Sequence, residues 1–132
     1  MFAAPWIDAP ALKSELDSYK LPGVAFRTIW YKPFSGSQAG RLIQGVQYFF
    51  TDFGEAYITE VQFYVMQAVA RLYPDHSPFG SGTTAGSFDK VCGSDFVRTA
   101  FSRRHLVSDV KDYWEADVPA FRAISGKYYL YE

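Results

Sequence analysis

Two runs of alternating apolar residues, joined by a turn-rich spacer, constrain this chain more than any other feature. In residues 24–31, Val24, Phe26, Thr28 and Trp30 fall on one side of an extended chain, a period of two that a helix would scatter around its circumference. Residues 42–51 read as a second, longer strand, and the adjacent Phe49 and Phe50 predict burial on both of its faces. Between the two, Lys32-Pro33-Phe34-Ser35-Gly36-Ser37 is a run of turn formers.

Elsewhere the period is helical. Asp8 is placed to cap a helix running to about Tyr19, with Pro10 in its first turn and Leu12, Leu16 and Tyr19 as its apolar stripe. Leu21-Pro22-Gly23 then stops it. Thr59-Glu60-Val61-Gln62 has the form of a capping box, followed by a stripe of Val61, Val65, Ala68, Val69 and Leu72 that Pro74 ends. Residues 77–87 are Ser, Gly, Thr and Pro in large part and predict a mobile loop. Ser94 is placed to cap a short helix carrying Phe96, Val97, Ala100 and Phe101, with Asp95 complementing its N-terminus.

Residues 107–125 are helical again, and Pro119 implies either a kink or a second helix capped by Asp117; the second is preferred. Gly126 is a stop, and residues 127–131 read as a short terminal strand. Strands early, helices later and a last strand returning give an α+β fold: a small, largely antiparallel sheet with helices packed against it. At 132 residues the chain fits a single domain, 1–132, of a size that buries roughly two-thirds of its unfolded surface.

Charge is nearly balanced, at −1, with Lys and Arg scattered. That argues against a nucleic-acid partner, which needs a basic field. No apolar run reaches transmembrane length, so no membrane span is expected. Twelve Phe, ten Tyr and three Trp make the chain unusually aromatic; most such rings build a core, and a few suit a platform for sugar C–H faces. Cys92 stands alone, which excludes an intrachain disulfide and a cysteine metal site. His76, in a helix-ending loop, is expected to be solvated, and neither it nor His105 has a metal-ligand partner at useful spacing. No metal and no cofactor are expected.

The standard catalytic signatures are absent: there is no phosphate-binding Gly loop, HExxH, GxSxG or DxD-type cluster. Ordinary glycoside hydrolysis needs two carboxylates across the scissile bond. Of the fourteen acids, Glu15, Asp17, Glu60, Asp109, Asp112 and Glu115 fit helix caps or solvated faces. Asp89 is open to two readings, a substrate contact or a tie between a turn and backbone amides. Gly45, inside a strand, marks a sheet irregularity or a place where a glycan or partner backbone approaches; Gln47 then points opposite to Val46 and could donate to sugar hydroxyls or an acetamido group.

Four blocks in order, Ala4-Pro5-Trp6-Ile7-Asp8, Gly45-Val46-Gln47-Tyr48-Phe49-Phe50-Thr51-Asp52, Phe88-Asp89-Lys90-Val91-Cys92-Gly93-Ser94-Asp95 and Lys127-Tyr128-Tyr129-Leu130-Tyr131, resemble the C-terminal domain of the NamZ-type peptidoglycan exo-β-N-acetylmuramidases. Leu21-Pro22-Gly23-Val24, Leu72-Tyr73-Pro74, Trp114 and Phe121-Arg122 match between them. The chain departs in reading Ile43-Gln44-Gly45-Val46 where relatives often have Cys-Gly-Gly-Val.

The resemblance implies an accessory domain, preceded by a Rossmann-like domain that holds the catalytic carboxylate, with the substrate cleft between the two. It implies muramyl glycans from peptidoglycan as ligands and a bacterial cell envelope location, periplasmic or secreted, with any export signal upstream. Candidate wall residues are Tyr31, Lys32, Ser35, Gln47, Phe88, Asp89 and Lys90, with Lys90 as a point charge for the muramic lactyl carboxylate. None is expected to be catalytic, and the chain alone is expected to be inactive. The alternative is a stand-alone, non-catalytic glycan-binding or protein-interaction module. A small autonomous hydrolase is a third reading, weakened because no acid/base pair stands out.

Overall fold

The computed structural model describes residues 1–79 and 83–130. The chain forms two compact units, residues 1–78 and 79–132.

The first unit holds β1 (Phe2–Ala4), α1 (Ala9–Ser18), β2 (Val24–Tyr31), β3 (Ile43–Phe50) and α2 (Val61–Leu72). Its sheet is antiparallel in the order β1-β3-β2, and Phe26 lies opposite Tyr48 in the β2–β3 register. β3 is therefore central, and the third strand comes from the start of the chain. The terminal strand expected at residues 127–131 is not formed: Gly126–Tyr128 is a 3-10 turn, Tyr129 and Leu130 lie outside any strand, and Tyr131 falls outside the described residues. Both edges of β3 are already filled, by β1 and β2.

Alternation decides which sheet face meets the helices. Phe26 and Val46 join Ile7, Leu12, Leu16, Val61, Val65, Ala68 and Val69 in one buried cluster. Each fully buried Leu or Val there is worth about 1.5–3 kcal/mol relative to leaving it in water. Asp8 caps α1 as expected, Oδ1 accepting the Ala11 N–H at 2.9 Å. The capping box at Thr59 is not formed. α2 begins at Val61 with Glu60 in the cap position, and no side chain caps it; Glu60 is itself buried. Trp6 folds back, its ring stacked on His76 with centroids 3.9 Å apart and edge-on to Tyr73 at 5.2 Å. His76 is exposed, as its loop position implied, with one face covered by that stack.

Two glycines are required by space. A Cβ on Gly23, which has φ +63°, would lie 2.2 Å from the Asp52 carbonyl oxygen. One on Gly45 would lie 2.0 Å from the Phe2 carbonyl oxygen and 2.6 Å from Ala3 Cα. The close approach read at Gly45 is thus made by the chain's own β1.

The second unit is helical: α3 (Thr83–Cys92), α4 (Phe96–Arg104), α5 (Ser108–Glu115), α6 (Val118–Ser125) and the 3-10 turn. The mobile loop predicted over 77–87 is corrected here: residues 80–82 lie outside the described residues, and from Thr83 the chain is helical. Its Gly and Ser content hid a helical spacing of Ala85, Phe88 and Cys92, all at least partly covered. Phe79, Val97, Ala100, Phe101, Val107 and Val110 are buried, and the Phe79 ring stands edge-on to Phe88 and Phe101. Ser94 Oγ accepts the Phe96 N–H at 3.0 Å at the start of α4. α6 starts as a separate helix at Val118 with Pro119 in its first turn, and Asp117, in the cap position, makes no side-chain capping hydrogen bond. Among the described residues, no helix is long and apolar enough to cross a membrane.

Candidate functional site

The side of the β2–β3 hairpin away from the apolar cluster carries Ala25, Arg27, Ile29 and Tyr31, paired with Phe49, Gln47, Gly45 and Ile43. Tyr31 and Gln47 therefore share a face, with Tyr31 four residues beyond Gln47's partner, roughly 13 Å at the rise of a strand. Lys32 and Ser35 follow in the exposed loop after β2, beside a fully exposed Phe34. Phe49 is exposed rather than buried, because alternation turns it to this outer face while Phe50 packs on the core.

Gln47 is not free to act alone. Its Oε1 accepts from Arg27 Nε at 3.0 Å and Nη2 at 2.7 Å. The guanidinium carbon lies 4.9 Å from the Phe49 ring centroid, within reach of a cation–π interaction. Arg27 was not among the residues singled out from sequence. The available signal was its place on the polar side of the β2 alternation, directly across from Gln47.

In the second unit, Phe88, Asp89 and Lys90 lie on α3. Phe88 packs edge-on against Phe79 at 4.9 Å, so its ring belongs to that unit's core. Asp89 takes a bidentate hydrogen-bonded pair from Arg98, Nε to Oδ1 and Nη2 to Oδ2, both 2.7 Å. The Arg98 guanidinium holds the Asp89 carboxyl below the usual Asp range, and Asp89 in turn raises Arg98. A carboxyl held ionised in this way is a poor proton donor at neutral pH. The pair ties Asp89 to a side chain of the neighbouring helix rather than to turn amides. Lys90 is exposed in the last turn of α3, where a cation complements the helix dipole. Burial pushes the Cys92 thiol up, away from the thiolate a nucleophile needs.

The seven candidates thus divide. Tyr31, Lys32, Ser35 and Gln47 sit on or beside one hairpin face, and Phe88, Asp89 and Lys90 sit on one helix of the other unit. The hairpin offers an oriented cation, an amide and an exposed ring. The helix offers a neutralised ion pair.

The comparison with known families decides the wider class. Residues 1–131, which include both units, match the family described as "Exo-beta-N-acetylmuramidase NamZ, C-terminal". The chain belongs to that NamZ C-terminal family. It is 30% identical, over 131 residues and 99% of its length, to the peptidoglycan beta-N-acetylmuramidase NamZ of Bacillus subtilis. It is also 46% identical to a DUF1343 family protein from Bacteroides fragilis whose crystal structure superposes over the whole chain with a TM-score of 0.94. The chain spans 31% of the Bacillus NamZ and 35% of the Bacteroides protein, so about two-thirds of each relative lies outside the matched region.

Proposed function

We propose that this chain works as the C-terminal accessory domain of a peptidoglycan exo-β-N-acetylmuramidase, forming one wall of a substrate cleft whose chemistry is supplied by an N-terminal Rossmann-like catalytic domain. The observation that carries this reading is the family match over both units of a chain about a third as long as its relatives. The ligands are muramyl glycans released from peptidoglycan, and the setting is the bacterial cell envelope, periplasmic or secreted. Tyr31, Lys32, Ser35 and Gln47 are the candidate sugar contacts of the first unit, and Phe88, Asp89 and Lys90 are separate candidates of the second. Their role is to orient the terminal sugar.

The Asp89–Arg98 geometry supports a non-catalytic role for this chain. Glycosidic cleavage needs a proton donor at the leaving oxygen, and Asp89 is held in its ionised form by Arg98. Hydrogen exchange with a soluble glycan ending in N-acetylmuramic acid tests the wall. Slowed exchange is expected in residues 31–35 and 47 and in residues 88–90. Unchanged exchange throughout these segments, at a glycan concentration that saturates binding, would remove the wall assignment.

A further inference from the structure

We infer that the outer face of the β2–β3 hairpin carries a carboxylate-binding site centred on Arg27. A guanidinium presents five N–H donors along two usable edges. In Arg27 the edge formed by Nε and Nη2 is satisfied by one neutral acceptor, Gln47 Oε1. The Phe49 ring lies under the same group, 4.9 Å away. Hydrogen bond and ring together fix the plane of the guanidinium. Its other edge, Nη1 with the second Nη2 hydrogen, makes no hydrogen bond or ion pair within the described residues. That edge has the fork geometry a carboxylate accepts.

Among the described residues, three other guanidinium groups are paired with a carboxylate. Arg98 is bound to Asp89, Arg104 to Asp109 and Arg71 to Glu15. Arg27 is held in place by uncharged neighbours and keeps its full charge. Such an arrangement stabilises an incoming anion without first breaking an ion pair. The exposed Phe49 and Ala25 beside it provide an apolar shelf suited to a methyl group or a sugar C–H face. The ligand class is a small organic carboxylate carried on a sugar. N-acetylmuramic acid fits, since its lactyl ether places a methyl group next to a carboxylate, whereas N-acetylglucosamine has no lactyl ether and no carboxylate. The assignment to muramic acid rests on the cleft-wall reading above; the anion site itself stands on the hairpin geometry. Arg27 then takes the role that sequence alone suggested for Lys90.

The test is a titration of the chain followed by nuclear magnetic resonance at the Arg27 Nε–H and the Gln47 side-chain amide. N-acetylmuramic acid is expected to shift both signals saturably, lactate to shift them more weakly, and N-acetylglucosamine to leave them in place. R27Q should weaken N-acetylmuramic acid binding by about tenfold or more, the scale of a lost charge-assisted bond. R27K, which keeps the charge without the fork, should fall between. Unmoved signals with both carboxylates, or an unchanged affinity in R27Q whose backbone spectrum remains native, would overturn the site. Lactate binding as tightly as N-acetylmuramic acid would uphold the carboxylate site while counting against the cleft-wall reading. The two failures are therefore distinguishable.

Discussion

Phe101 and Phe121 are the same residue type on two helices of the same unit, yet Phe101 is 0% exposed and Phe121 is 65% exposed. The contrast extends to the two units. In the first, a three-stranded sheet and two helices share a cluster that includes Ile7, Leu12, Leu16, Val46 and Val69, all nearly inaccessible. In the second, the core gathers around Phe101 and Val110, and α6 buries no residue at all. Ile124, Tyr128, Tyr129 and Leu130, which follow Phe121 in the chain, are exposed as well. A sheet collects side chains from several strands onto one face, so it closes a core with few residues. Short helices without a sheet rely on individual large rings, and here one ring carries much of that load.

The largest expected effect follows directly. Phe101→Ala should cost about 3–5 kcal/mol, as ring deletions from a packed core do, whereas Phe121→Ser should change stability by about 0.5 kcal/mol or less. Urea denaturation of the two variants measures the difference, and equal losses would break the comparison. In the first unit, Gly45→Ala should cost about 1–3 kcal/mol through overpacking against β1. Amide exchange should then rise in β1 while β2 stays protected, because the added methyl meets the Phe2 and Ala3 backbone.

Titration separates the units at smaller amplitude. The Arg98 partner depresses the Asp89 pKa, so its contribution is present above the unfolded Asp value of about 3.9 and is lost as pH falls through the lower folded value. Acid should thus loosen α3 and α4, and Asp89→Asn should flatten that response in their amide exchange. Tyr19 behaves in the opposite sense. Burial, then its hydrogen bond to Glu15, pushes its phenol up to about 12. Its contribution is complete below the unfolded value of about 10 and is lost as pH rises toward 12. Phenolate absorbance should show a late-titrating component that is lost in Tyr19→Phe.

The same contrast explains what the sequence made legible. Alternation in β2 and β3, the Asp8 cap and the break at Asp117-Val118-Pro119 could all be read because each rests on local periodicity or turn chemistry. β1 was missed because Phe2–Ala4 is three residues long and is defined by its partner rather than by its own pattern. α3 was hidden by small residues, whose preference for loops yields to the spacing of Phe88 and Cys92. At the site, Gln47 could be found by its direction on a strand. Arg27 required the register that sets it opposite Gln47, and the Asp89–Arg98 pair required a nine-residue reach between two helices.

The central claim is that this chain supplies substrate contacts and no bond-breaking chemistry. Its most direct test is a chromogenic N-acetylmuramic acid glycoside offered to the chain alone, and then to the chain mixed with a separately produced N-terminal Rossmann-like domain. The account predicts no release of chromophore by the chain alone and release in the mixture. Turnover by the isolated chain, abolished by Asp89→Asn, would contradict it.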